Sequence, residues 1–180
     1  MSAHPSHIPP VDAGETAVVV LLHEVDERIR RWHIRTQPVG LPAHITLAYP
    51  FKPIEDVTEH DLELLRSVFA SETSHVITLA RTGRFPGVLY LEPEDDARFR
   101  RLTDEITELW PEYPPYGGAF EDVIPHVTVN HGLPEHELDV VEHELASHLP
   151  MQAFAHEGWL MTFDGEEWST EARFAFREPH

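Results

Sequence analysis

Apolar positions along the chain fall into alternating strand-like and helix-like segments. Ala17-Val18-Val19-Val20-Leu21-Leu22 is continuous and largely β-branched, which predicts a buried strand. From Glu24 to about Thr36, Val25, Ile29 and Trp32 recur at helical spacing among charges, and the segment stops before Pro38-Val39-Gly40. A strand over residues 42–49 follows, closed by Pro50 and Pro53. Leu62, Leu65 and Phe69, widened by Leu64 and Val68, predict a helix, with Thr58 and Asp61 placed to cap its start. Residues 75–80 then predict a strand and Arg81-Thr82-Gly83-Arg84 a turn.

The order restarts at residues 88–91, a further strand. Phe99, Leu102, Ile106 and Leu109 predict a helix between residues 94 and 110, and a loop of Pro, Tyr and Gly leads to a strand over 124–130. Pro134 is placed to open a helix whose stripe is Leu138, Val141, Leu145 and Leu149. The tail from Gln152 carries two more strand candidates, residues 154–163 and 173–176, the second at a sheet edge. Each half, approximately 16–81 and 87–163, thus runs strand, helix, strand, helix, strand. Such a duplication predicts an α+β fold: bilobal, two-layered and pseudo-twofold, with antiparallel-rich sheets around a central cleft and helices outside. Residues 15–180 are expected to form one domain, preceded by a flexible arm, residues 1–14.

Composition narrows what this domain can do. A length of 180 residues suits one domain, and 41% hydrophobic content suffices for its core. With 13 basic and 32 acidic residues the formal charge is −19, which opposes broad adhesion to the backbone of long nucleic acid. A small anion in a locally favourable pocket remains compatible with that charge. The chain has no cysteine, which excludes disulfides, thiolate metal sites and a cysteine nucleophile. Residues 1–14, rich in His and Pro, lack the basic-then-apolar order of a signal peptide, and the longest clear apolar run, residues 17–22, is too short to cross a bilayer. The expectation is a cytoplasmic monomer with no membrane partner.

The candidate chemistry lies in the repeat itself. His44-Ile45-Thr46-Leu47 and His126-Val127-Thr128-Val129 carry one pattern, with the histidines 82 residues apart. Strand side chains alternate faces, so His44 and Thr46 share a face about 7 Å apart, as do His126 and Thr128, while the aliphatic residues take the reverse. Symmetry would place both histidines across one groove. Imidazole titrates near pH 6.5, so one histidine can act as general base while the other acts as general acid. The threonine hydroxyls can donate to the non-bridging oxygens of a phosphate. In-line displacement at a phosphodiester fits such a set and requires no metal.

These residues resemble the paired H-Φ-T-Φ motifs, Φ being hydrophobic, of the 2H phosphoesterase superfamily, and are most similar to its 2′-5′ RNA ligase-like branch. Ala43-His44-Ile45-Thr46-Leu47-Ala48-Tyr49-Pro50-Phe51 and Pro114-Pro115-Tyr116-Gly117-Gly118-Ala119-Phe120, the latter leading to Pro125-His126, extend the resemblance, which spans approximately residues 16–178. It implies a bilobal fold with a central cleft, metal-independent 2′,3′-cyclic phosphodiesterase chemistry and, in some members, reversible 2′-5′ RNA ligation. It also implies His44 and His126 as the acid/base pair and Thr46 and Thr128 as the phosphate contacts, without fixing which histidine is the base. The acidic charge turns the expected substrate from tRNA or long RNA towards a nucleotide-derived cyclic phosphate or a short oligonucleotide.

Other readings compete for some residues. Tyr49, Phe51, Phe85, Tyr90 and Tyr116 can stack a base or simply pack, and Arg81 and Arg84 can meet a phosphate or stand in solvent. His143-Glu144-Leu145-Ala146-Ser147-His148 approaches an H-E-x-x-H zinc helix, but its histidines are five residues apart. At about 100° per residue the second points ~140° from the first, so no metal site and no cofactor are expected. At the level of the whole chain the alternatives are a non-catalytic module that holds a nucleotide or a partner, and a phosphodiesterase for a signalling nucleotide.

Overall fold

In the computed structural model, which describes residues 10–33 and 40–180, the first apolar run forms β1 (Thr16–Leu21), followed by α1 (His23–His33) and β2 (His44–Ala48). Next come α2 (Glu59–Ser71), β3 (His75–Phe85), β4 (Val88–Pro93), α3 (Ala97–Leu109) and β5 (Val127–His131). The chain ends with α4 (Glu135–Ala146), β6 (Met151–Ala155), β7 (Glu157–Phe163) and β8 (Trp168–Ala175). The expected arm lies outside the described residues as far as residue 9, as does the expected continuation of α1 over residues 34–36. Gly14 donates its N–H to the Phe163 carbonyl at 2.7 Å. Among the described residues no helix is long and apolar enough to cross a membrane.

The strands form one curled antiparallel sheet in the order β6-β3-β4-β5-β2-β1-β7-β8. Its centre is narrow: β2 and β5 meet through a single register pair, Ile45 opposite Val127. Outwards from that joint, β2, β1, β7 and β8 on one side answer β5, β4, β3 and β6 on the other, so the two halves are lobes related by a pseudo-twofold. The halves are also interlocked. The strand that follows α2 pairs with β4 in the far lobe, and β7 returns to pair with β1.

One face of the sheet is covered by helices. α1 packs on β5 and β6, α3 on β2, α2 on β8 and α3, and α4 on β3 and β4. Val18, Val20, Ile45, Leu47, Val127 and Val129 point into this layer, each at most 1% exposed. Each such side chain contributes about 1.5–3 kcal/mol by leaving water. Phe69 of α2 stacks on Phe174 and Phe176, with centroids 5.6 and 5.8 Å away. It lies directly over Gly158, where a Cβ would stand 2.2 Å from the ring, so only glycine lets helix and strand approach this closely.

The expected cap of α2 is present as a reciprocal box between Thr58 and Asp61. Asp61 is 5% exposed and also accepts from Lys52 Nζ and Trp110 Nε1, each at 2.9 Å. Burial alone would raise its pKa, but the donors Lys52, Trp110 and Thr58 outweigh it and hold the carboxyl well below the usual range.

Two sequence expectations are corrected. Residues 81–84 are not a turn: β3 continues through them to Phe85, and the reversal comes at Gly87, whose φ is +72°. Gly83 reads as a turn residue but serves a strand, because the Tyr90 ring crosses over it and a Cβ there would lie 2.4 Å from the ring. The tail holds three strands rather than two. The run expected over 154–163 breaks at His156 into β6 and β7, which occupy opposite halves of the sheet, and the edge strand expected over 173–176 starts earlier, at Trp168.

Candidate active site

Along β2 and β5, and at the residue just before β5, the side chains that avoid the helical layer are His44, Thr46, Thr128 and His126, all partly exposed on the opposite face. The structure therefore brings the four sequence-predicted residues to one place, the joint between the lobes. Continuing the register of Ile45 and Val127 by one residue each way sets His44 opposite Thr128 and Thr46 opposite His126. Opposed residues in such a pair have Cβ atoms about 4.5–5.5 Å apart, and diagonal ones about 7–8 Å. The two histidines occupy a diagonal, with a hydroxyl beside each.

Both rings are fixed in the same way. His44 Nδ1 lies 2.8 Å from the Pro42 carbonyl and His126 Nδ1 2.7 Å from the Ile124 carbonyl, in each case two residues upstream. A carbonyl only accepts, so Nδ1 carries the proton in both rings, and in a neutral ring Nε2 is left as the base. The first anchor is itself held, because the Ala43 N–H donates to Asp26 Oδ1 of α1 at 2.8 Å.

The surroundings of the two rings differ. Burial, followed by the charges of His33 and His126, pushes the pKa of His44 down to about 4 although the Pro42 carbonyl favours its protonated form. His33, 4% exposed, sits behind the site with Nδ1 3.1 Å from the Thr128 carbonyl, and its own pKa is lowered by burial. His126 instead packs against the pair formed by Tyr90 and Phe85, with ring centroids 5.1 and 5.3 Å away.

Tyr116 is the residue whose place in the site sequence reasoning left undecided. It sits in a tight 3₁₀ turn, Pro115–Gly118, at a positive φ of 54°, and its N–H donates to the Tyr49 carbonyl at 2.6 Å. Its hydroxyl is hydrogen-bonded to Thr46, and burial raises its pKa despite that bond. The available signal was the Pro-Pro-Tyr-Gly-Gly sequence, which marks a turn that can turn a tyrosine inward. Of the other aromatic candidates, Phe51 is 2% exposed and packs on Trp110, as core. Tyr49 donates its hydroxyl to Glu15 Oε2 at 2.7 Å.

Arg81 and Arg84 stand in β3 rather than in a turn. Arg81 is exposed, as the solvent reading expects, and pairs with Glu92 at 2.6 Å, whereas Arg84 reaches Glu135, Asp139 and Glu142 at 3.2, 2.9 and 2.8 Å. A cavity of about 300 Å³ lies between Arg81, Glu92, Arg100 and Asp122, but its arginines are each matched by a carboxylate. Beside His126, Phe85, Tyr116 and Phe120 line a recess of about 40 Å³, far less than a nucleobase needs. Among the described residues no three His, Cys, Asp or Glu side chains lie together as a metal ion would require.

The chain matches the family model of the 2′-5′ RNA ligase superfamily over residues 21–167. Among solved structures, TT0787 of Thermus thermophilus is similar with a TM-score of 0.64 and 18% identity, over 92% of this chain and 100% of that one. E. coli LigT complexed with NADP+ gives 0.57 and 16% over 93% and 99%, and LigT complexed with 3′-AMP gives 0.56 and 16% over 92% and 99%. At these identities the likeness shows a common fold. No curated protein matches the chain.

Proposed function

Because the chain belongs to the 2′-5′ RNA ligase superfamily, we propose that it is a two-histidine phosphodiesterase acting on the 2′,3′-cyclic phosphate of a nucleotide or short RNA. The observation that carries this reading is the diagonal pair of histidines, each locked through Nδ1 to a carbonyl and each beside a threonine hydroxyl. LigT, with the same fold, binds NADP+ and 3′-AMP in its solved complexes, which supports a nucleotide-sized ligand.

The step is a single displacement. His44, held neutral, takes a proton on Nε2 from water as the water oxygen bonds to phosphorus. The bond from phosphorus to one ribose oxygen breaks, and that oxygen takes the proton held on His126 Nε2. The product is a phosphate monoester, and a proton exchanged with solvent resets the pair. The hydroxyls of Thr46 and Thr128 donate to the non-bridging oxygens as their charge rises. Should a ribonucleotide 5′-hydroxyl replace water and the 3′ oxygen depart, the same step closes a 2′-5′ linkage. Every role is filled by a side chain of this protein.

The test is hydrolysis of 2′,3′-cyclic nucleotides in excess EDTA by wild type and by the double variant His44→Ala/His126→Ala. Turnover in the first and not in the second is the expected result, and the position of the product phosphate identifies the leaving oxygen. A wild type inactive on every cyclic nucleotide, but still binding nucleotides, would favour the non-catalytic module.

A further inference from the structure

The joint that carries the four candidate residues is also where the sheet is narrowest. β2 and β5 share one register pair, Ile45 opposite Val127, so the ladder does little to fix how far apart the two strands stand beyond it. The groups flanking that pair are held from the helical side instead, by α1. The Val25 and Asp26 N–H groups both donate to the Leu22 carbonyl, at 3.1 and 3.0 Å, which takes that oxygen away from the ladder between β1 and β2. Leu22 still donates to the Ala43 carbonyl at 2.8 Å, while the Ala43 N–H goes to Asp26 Oδ1, also at 2.8 Å. A side chain of the helix has thus replaced a rung next to His44.

The far end of α1 acts in the same way on β5. His33 Nδ1 lies 3.1 Å from the Thr128 carbonyl, and Asn130 Nδ2 donates to the Trp32 carbonyl at 2.7 Å. His33 Nε2 faces the Leu41 carbonyl at the longer distance of 3.4 Å, so the closer contact takes the one proton of a neutral ring. Asp26 and His33 are seven residues apart, close to two turns, and so lie on one stripe of the helix about 10 Å from each other. That stripe bridges β2 and β5 on the face opposite the catalytic candidates. His33 and Asn130 are 4% and 0% exposed, so water does not compete for their bonds. Polar groups buried at such a place stabilise less than well-packed apolar ones would, but a hydrogen bond fixes a distance and an angle where apolar packing lets strands slide.

We propose that Asp26 and His33 are positioning residues: by bonding Ala43 and Thr128 they fix the separation of β2 and β5, and with it the spacing between His44 and the Thr128 hydroxyl. The reaction that this spacing serves rests on the phosphodiesterase reading above. Neither residue touches the substrate, because each acts through the backbone of a strand whose functional side chains stand on the other face.

Steady-state kinetics on a 2′,3′-cyclic nucleotide and proton NMR of His33→Leu and Asp26→Ala test this, each against a conservative variant, His33→Asn or Asp26→Asn. Asparagine keeps a donor near the place of Nδ1 in the first case and an acceptor at Oδ1 in the second. His33→Leu and Asp26→Ala should each lower kcat roughly ten- to a hundredfold per folded molecule while KM stays within about twofold. The asparagine variants should recover most of that loss. His44 and Thr128 stand opposite one another, so the nuclear Overhauser cross-peak between the His44 ring protons and the Thr128 methyl group reads their spacing without turnover. It should weaken in His33→Leu and return in His33→Asn. An unchanged kcat per folded molecule, a loss confined to the urea midpoint, or asparagine variants as slow as the leucine and alanine ones would overturn the proposal. If wild type turns the nucleotide over and neither kcat nor the cross-peak depends on residue 33, the positioning role fails alone. If wild type turns nothing over while the cross-peak still depends on His33, the phosphodiesterase reading fails alone.

Discussion

The two lobes hand the cleft the same chemical groups from opposite sides, and they differ in what stands behind those groups. On the His126 side the ring is packed by Tyr90 and Phe85, and the arginine on that wall is tied to Glu92. On the His44 side the ring has His33 and Asp26 close enough to act on its charge, its threonine is bonded to Tyr116, and the arginine on that wall rests on Trp159. What the lobes share is what a phosphodiester exchange needs: two Nε2 atoms and two hydroxyls. In the proposed reaction, what they do not share would set which of the two histidines takes the first proton. Duplication accounts for the paired groups, and divergence of the walls for the difference between them.

The largest expected effects bear on the shared part. His44→Ala and His126→Ala should each lower kcat on a cyclic nucleotide by roughly 10²–10⁴ while leaving the denaturation midpoint close to wild type. Steady-state kinetics with a urea titration checks both. Near-wild-type turnover in either variant would break the equivalence of the lobes, because one histidine would then suffice.

The helices covering the two lobes are anchored by different physics, and stability should show it. Asp61 of α2 is a buried carboxylate with four donor groups, whereas α4 is tied down by Arg84 through three partly exposed carboxylates. Asp61→Ala strands the Lys52 ammonium and should cost about 3 kcal/mol, while Arg84→Ala should cost about 1 kcal/mol or less. Urea denaturation measures both. The Asp61 pKa is depressed in the fold, so its contribution is present above about pH 4 and is lost as pH falls through the lower folded value. Equal losses in the two variants would mean that the anchoring is as symmetric as the strands.

The threonines sharpen the comparison at a finer scale. Thr46→Val and Thr128→Val should each remove about 1–3 kcal/mol of transition-state stabilisation. The Thr46 hydroxyl is bonded to Tyr116, so Tyr116→Phe should cost about 1 kcal/mol and be coupled to Thr46→Val in a double-mutant cycle on kcat/KM. The same cycle with Thr128→Val should be additive. Coupling to both threonines would make Tyr116 part of the shared apparatus rather than of one wall.

Much of this was legible in the sequence because the signals were local. Each half carries its own apolar run, its helical stripes and its His-x-Thr strand, and the Thr58 and Asp61 box is a three-residue pattern. The misreadings lie where a distant partner decides. Gly83 stays in a strand because Tyr90 needs the space above it, and no local rule announces that. The break at His156 had no local signal either: burial alternates over residues 151–155 and is continuous over 158–161, but the exposed Phe154 hides that alternation in the sequence. β8 opens on the buried Trp168, but Ser169-Thr170-Glu171 follow it exposed at an edge and so show no apolar alternation. The pairing of Arg173 with Trp159 is likewise a product of register, set by strands that the sequence keeps 14 residues apart at those positions.

The smallest expected effect is an absence of change, and it tests the asymmetry most directly. A histidine base of ordinary pKa, 6.5, would lose about 25-fold in kcat/KM on going from pH 7 to pH 5. His44, with a pKa of about 4, stays deprotonated across that range, so kcat/KM should hold nearly level to pH 5 and fall only near pH 4. The apparent values belong to the coupled pair, so the assignment requires that His44→Ala abolish the acid limb in the residual activity. Stability supplies an independent reading with a definite sign. The unfolded chain takes up a proton at His44 between pH 6.5 and about 4 while the folded protein does not, so stability should decline as pH falls through that window, and His44→Ala should flatten the decline. An acid limb near pH 6.5 that survives in His44→Ala would transfer the role of base to His126, and the walls would then direct the reaction the other way.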